Sequence, residues 1–148
     1  MPSSNRSSIR AGSWPVRIEG GLEALDRVVE CIQKSKKPIV LLQGTLGSGK
    51  TTLVKAFAKK MGKEGVTSPT FSIQQVYGDD IYHYDLYNAG FEKFMELGLF
   101  EELGKDGWHF VEWPDERLEE LLRSLGMEYM VIQITPKGDK REYRCIDS

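Results

Sequence analysis

The stretch "PIVLLQGTLGSGKTTLVKAFAKKMG", residues 38–62, restricts the possible folds of this chain more than any other. Its opening, Pro38 to Gln43, is an apolar run without alternation, as expected of a strand covered on both faces. A glycine-rich turn follows directly. Then Leu53, Val54, Phe57 and Met61 recur at helical spacing, and Gly62 ends the pattern. Strand, tight turn and helix in that order predict a βα unit whose turn lies at the end of a buried strand.

Gly44, Gly49, Lys50 and Thr51 satisfy GxxxxGK[ST], the Walker A pattern. Gly44 and Gly49 let the backbone curve tightly without a Cβ, so successive N–H groups can point inward around a polyphosphate, and Gly47 adds a third unhindered position. Thr45, Leu46 and Ser48 complete that loop. Lys50 carries positive charge to the β- and γ-phosphates, and Thr51 offers its hydroxyl to Mg²⁺. Thr52 either stabilises the first helical turn or contacts an α-phosphate. The helix start adds unpaired N–H groups and the positive end of its dipole. The plain alternative is a glycine-rich turn that merely closes a βα unit. The buried strand before it and the amphipathic helix after it favour nucleotide binding.

Binding does not imply hydrolysis, which also needs a second anchor for Mg²⁺ and a group to position water. Asp85 in "IYHYDLY" and Glu112 in "HFVEW" each lie in or just after an apolar strand segment, where a carboxylate is costly to bury without compensation. Asp85 could instead be a strand-end acid bonded to backbone or to a tyrosine hydroxyl, and Glu112 a solvated edge residue. The residue pattern leaves open which acid holds the metal and which orders water. His83 and His109 show no metal-ligand spacing and are read as packing or hydrogen-bonding groups. Tyr77, Tyr82, Tyr84, Tyr87, Trp108 and Trp113 lack a companion basic stripe and are read as core or interface.

The remaining pattern alternates helices and strands. Val16 to Gly20 is a strand candidate, followed by a helix with Leu22, Leu25, Val28, Val29 and Ile32 on its apolar stripe. Pro69 makes "TSPT" a shaped loop, and Phe71–Val76 and Ile81–Leu86 form a hairpin around "YGDD". Gly98 divides residues 88–107 into two short helices. A strand at "WHFVEW" and a helix with Leu118, Leu121, Leu122 and Leu125 inward come next. Two final strands around "PKGDK" place Met130, Ile132 and Ile134 on one buried face. The fold class expected is α/β, a three-layer sandwich with a mixed central sheet and antiparallel edge strands, the late hairpins pointing to additions at one edge.

At 148 residues the chain fits one domain, expected over 15–148, with residues 1–14 as a flexible polar tail. That tail has no apolar h-region, so a cytoplasmic location is expected. The 20 basic and 22 acidic residues give no strong global field for nucleic acid or anionic lipid, and no apolar run is long enough to span a membrane. Cys31 and Cys145 lack CxxC spacing and are read as buried, reduced thiols.

Three segments, "LLQGTLGSGKTTLVKAFAK", "VTSPTFSIQQVY" with "HYDLYNAG", and "VEWPDE", occur in an order and spacing that resemble the TsaE family over roughly Leu22 to Ile134. These are small bacterial P-loop ATPases that support threonylcarbamoyladenosine formation on tRNA. The resemblance implies a P-loop NTPase-like fold, ATP and Mg²⁺ as ligands, and weak ATP hydrolysis stimulated by partners resembling TsaD and TsaB, with any tRNA association indirect and no membrane. It implies that Lys50 holds the β/γ-phosphates, that Thr51 and Glu112 bind Mg²⁺, and that Asp85 is the essential acid near the γ-phosphate. Thr67, Ser68, Pro69 and Thr70 correspond to a nucleotide-responsive switch, with Thr70 close to metal or phosphate, and Trp113 has a supporting or partner-facing task. Thr45 and Ser48 depart from the acidic residue and alanine common in that family's loop, at free positions of the motif. No arginine stands out as a finger for the transition state, and Arg117 reads as a solvated helix residue. A small-molecule P-loop kinase and a non-hydrolytic nucleotide-gated binding module are the competing readings; the first lacks an arginine-rich lid segment.

Overall fold

The apolar run at residues 38–43 becomes the middle of a seven-stranded sheet in the computed structural model, which describes residues 16–45, 47–63, 73–87 and 90–147. Strand β2 (Ile39–Gly44) sends Val40 and Leu42 into one core and Ile39 and Leu41 into another. Its lack of polar alternation follows from this double burial. The first core is capped by α1 (Ala24–Ser35) and α2 (Lys50–Lys60), the second by α3 (Gly90–Glu96), α4 (Leu99–Glu102) and α5 (Glu116–Ser124). The chain is thus an α/β three-layer sandwich of the P-loop NTPase-like kind, as its sequence predicts.

The sheet order is β1 (Val16–Gly20), β7 (Lys140–Asp147), β6 (Tyr129–Lys137), β2, β5 (Trp108–Glu112), β4 (Ile81–Asp85), β3 (Gln74–Tyr77). The block β6-β2-β5-β4 is parallel. β7 lies antiparallel to β6 and β1 antiparallel to β7, while β3 lies antiparallel to β4 at the opposite edge. Antiparallel strands therefore occur at both edges, not at one. The carboxyl ends of β2, β5 and β4 share one rim, where ligands of open α/β sheets gather. Because β7 turns back from the end of β6, its first residues return to that rim.

Phe57 of α2 anchors the first core, fully buried and edge-on to Trp108 and Phe110 at centroid separations of 5.1 and 4.9 Å. Gly107, just before β5, has φ of 128°, and any Cβ there would collide with the carbonyl oxygen of Asp80. That close approach lets Trp108 N–H donate to Asp80 O at 2.8 Å, starting the β4–β5 pairing. The resulting register runs from Ile81 opposite Trp108 to Asp85 opposite Glu112.

Some expected core positions differ. Leu22 is 72% exposed because it sits in the turn before α1, and Leu125 is 57% exposed at the capped end of α5, where Leu121 is half-buried. β6 is covered on both faces, since Val131 packs into the second core opposite Met130, Ile132 and Ile134. Tyr87 is an exposed aromatic, not a core one. Gly98 separates two short helices as expected, with φ of 74°. Both cysteines are buried and free, and the hydrogen bond with Cys31, together with burial, pushes the Cys145 thiol above its ordinary range. Among the described residues no helix is long and apolar enough to cross a membrane. The expected tail at residues 1–14, Leu46, and the loop carrying Thr67, Ser68, Pro69 and Thr70 lie outside the described residues.

Candidate phosphate-binding site

At the rim, the turn from β2 to α2 closes through Ser48 N–H donating to Thr45 O at 3.0 Å, and α2 begins with Leu53 N–H donating to Gly49 O at 3.0 Å. The approach inside the turn is tight: a Cβ on Gly44 would lie 2.5 Å from Ser48 Oγ and 2.9 Å from Ile134 O. Gly49, the helix N-cap, has φ of 107° and supplies no side-chain cap, so the first-turn N–H groups of α2 are uncapped donors. The side chain of Lys50 is 4% exposed and folds back into the turn. Its ammonium donates to Gly44 O at 3.0 Å and to Thr45 O at 2.9 Å, with Ser48 Oγ at 3.5 Å. Burial holds its pKa below the usual lysine range, against the opposing pull of Glu112 and Asp85.

Glu112 ends β5 with 4% exposure, so it is an interior carboxylate and not a solvated edge residue. Thr51 Oγ1 donates to its Oε2 at 2.7 Å, and His83 Nε2 hydrogen-bonds the same oxygen. Burial alone would favour the neutral acid, but the hydrogen bonds from His83 and Thr51 and the charge of Lys50 hold Glu112 below the usual carboxylate range. It is therefore an anion placed beside the Thr51 hydroxyl, the chemistry a hard divalent cation requires. His83 is itself 4% exposed, and its Nδ1 has no hydrogen-bond partner among the described residues. Neither its spacing nor its type marked it at the sequence level; only the β4–β5 register brings it to Glu112.

Asp85 is exposed at the end of β4, and its Oδ1 accepts from Tyr87 N–H at 3.1 Å. It therefore has the local backbone bond of a strand-end acid while also facing the cleft. Trp113 follows Glu112 with φ of 59°, a left-handed backbone uncommon for a bulky side chain. Its ring pairs with Tyr87 at 4.8 Å and lies 4.1 Å from the Lys50 ammonium.

These elements enclose an open cleft of about 280 Å³. Gly47, Ser48, Gly49, Lys50, Thr51 and Thr52 line it from the loop, and Asp85, Glu112 and Trp113 from the later strands, joined by Tyr87 and Arg141. Gly44 and Thr45 enter through their carbonyls beneath Lys50. Among the described residues no group of three or more His, Cys, Asp or Glu is arranged to hold a metal ion. One carboxylate and one hydroxyl instead form the kind of incomplete set that Mg²⁺ fills with phosphate oxygens and water. Uncapped amides, a cradle too tight for a side chain, a buried ammonium and a paired acid and hydroxyl together fit a magnesium polyphosphate.

Known proteins resemble this chain in sequence and in fold. Residues 21–144 match the family described as TsaE, threonylcarbamoyl adenosine biosynthesis protein. The chain is 36% identical over 119 residues to a tRNA threonylcarbamoyladenosine biosynthesis protein TsaE of Bacillus subtilis, covering 72% of this chain and 75% of that one. It is 39% identical over 87 residues to the protein of the same description in Treponema pallidum, covering 56% of this chain and 64% of that one. The crystal structure of Bacillus subtilis YdiB superposes with a TM-score of 0.60 at 27% identity, covering 90% of this chain and 86% of that one. With the family match spanning nearly the whole described fold, the chain belongs to the TsaE family.

Proposed function

We propose that this protein is a Mg²⁺-dependent ATPase that supports threonylcarbamoyladenosine modification of tRNA through a nucleotide-regulated interaction with a TsaD–TsaB complex. The observation that carries the reading is the contact between Thr51 and Glu112, which pairs a hydroxyl with an ionised acid beside the glycine turn. The family description supplies the tRNA-modification context.

In this reading the turn amides from Gly44 to Thr52 and the Lys50 ammonium hold the triphosphate, with Lys50 exchanging its carbonyl partners for phosphate oxygens. Thr51 and Glu112 would hold Mg²⁺, which would supply charge neutralisation to the polyphosphate. Asp85 orients the attacking water, whose oxygen bonds the γ-phosphorus as the bond to the β,γ-bridging oxygen breaks and ADP leaves. Through the family resemblance, Thr70 acts on metal or phosphate, and Thr67, Ser68 and Pro69 act as a nucleotide-responsive switch. Trp113, adjacent to Glu112 and stacked toward Lys50, transmits the nucleotide state to a partner surface.

ATP turnover measured with and without the purified TsaD–TsaB pair, with Lys50→Ala as control, tests the proposal. Turnover should be slow alone, rise with the pair and vanish in the control. ATP binding without hydrolysis under both conditions would replace the ATPase with a nucleotide-gated binding module, and phosphate transfer to a small acceptor in preference to water would make it a kinase.

A further inference from the structure

Opposite the acids, the cleft is flanked by a residue outside every motif of the sequence. Arg141 is the second residue of β7, paired with Pro136 of β6 and Gly20 of β1. Strand alternation puts its side chain on the sheet face of Tyr143 and Cys145, the face packed by α2. It reaches the glycine turn: a Cβ on Gly49 would lie 3.0 Å from Arg141 Nε and 3.2 Å from Cζ. The guanidinium thus lies against the N-cap of α2 and lines the same cleft as Lys50 and Thr52.

Tyr143 on the same face hydrogen-bonds Arg141 but brings no negative charge. The neighbouring cations Arg17 and Lys137 both pair with Glu142, each at 2.8 Å. Among the described residues no carboxylate forms an ion pair with Arg141. A half-buried guanidinium, a buried ammonium and an uncapped helix start therefore share one cleft, an arrangement that an anion stabilises.

The sheet order fixes which part of the anion Arg141 meets. β2 carries the turn; Glu112 and Asp85 arrive from β5 and β4 on one side, and Arg141 arrives from β7, beyond β6, on the other. The Thr51–Glu112 pair marks the metal side and so the terminal phosphates. The geometry points to Arg141 as a second cation of the nucleotide site, holding the α- and β-phosphates from the flank opposite the metal-side acids. This rests on the ATP reading above and adds a residue to it. ATP and ADP both carry those two phosphates, so the contact strengthens the binding of each equally and leaves the chemical step unaccelerated.

Calorimetric titration of the full chain with ATP and with ADP, each with Mg²⁺, tests the inference. Arg141→Ala should raise both dissociation constants alike by about 10-fold, the loss of a charge-assisted phosphate contact. Its ATPase KM should rise while kcat stays within about twofold. Arg141→Lys should recover part of the affinity, and Arg141→Gln carries the same expectation as alanine if that variant unfolds. Unchanged affinities, or a loss confined to ATP with a fall in kcat, would overturn the role. Failure of the unsubstituted protein to bind either nucleotide would sink the ATP reading as well. Normal binding that Arg141→Ala leaves intact would sink this inference alone.

Discussion

Two buried histidines on adjacent strands have opposite surroundings. His109, on the face covered by α3 and α4, is saturated: Nε2 donates to Lys105 O at 2.9 Å and Nδ1 accepts from Tyr84 Oη at 2.9 Å. The Tyr84 hydroxyl in turn accepts from Gln74 at 3.4 Å, and Gln74 also donates to Glu102 at 3.3 Å. Among the described residues His83, on the face of α2, hydrogen-bonds Glu112 alone and leaves Nδ1 unpaired. A closed network holds one arrangement and resists change, whereas a group with a spare nitrogen beside a reactive acid retains freedom to adjust. The contrast assigns His109 to stability and His83 to the placement of Glu112.

The largest expected effect tests the second half of that contrast. His83→Phe keeps a flat ring but removes the bond to Glu112, and should raise the Mg²⁺ concentration needed for half-maximal ATP turnover by about 10- to 100-fold. A magnesium titration decides it; an unchanged midpoint would return His83 to packing. Next, Tyr84→Phe strips His109 of its Nδ1 donor and should lower unfolding free energy by about 1–3 kcal/mol, read by denaturant melts, with the magnesium titration unmoved. A shift in the titration would erase the distinction between the two sites.

The smallest effect is on pH. Burial depresses His109 below its ordinary pKa of 6.5, only partly offset by its bond to Lys105 O and by Glu102. The unfolded chain therefore binds a proton more readily than the folded one. This contribution is intact above pH 6.5 and declines as pH falls toward the depressed folded value, by at most about 1 kcal/mol at pH 6. Thermal melts from pH 7.5 to 6 should show a shallower decline in His109→Gln.

The βα unit around Lys50 was legible because its signals are local: a strand covered on both faces, a turn of fixed spacing and a helix with a core stripe. Asp85 and Glu112 were legible as acids in apolar strands, but their shared destination required the β4–β5 register. His83 was legible as a hydrogen-bonding group but its partner was not, and Arg141 left no readable signal, because strand pairing between distant segments brings the one to Glu112 and the other to the cleft. Leu22 and Leu125 were misplaced because the apolar stripe extends past the points where α1 begins and α5 ends.

Gly107 sits at the far end of the strand pair from the cleft, yet it sets the zero mark from which both acids are counted. Any side chain there would have to push Asp80 aside, and a slip of β4 along β5 would carry His83 and Asp85 out of step with Glu112, which its pairing with β2 keeps beside Thr51. Loss of the His83–Glu112 contact should therefore be inheritable from the bottom of the sheet, by a substitution that touches neither residue.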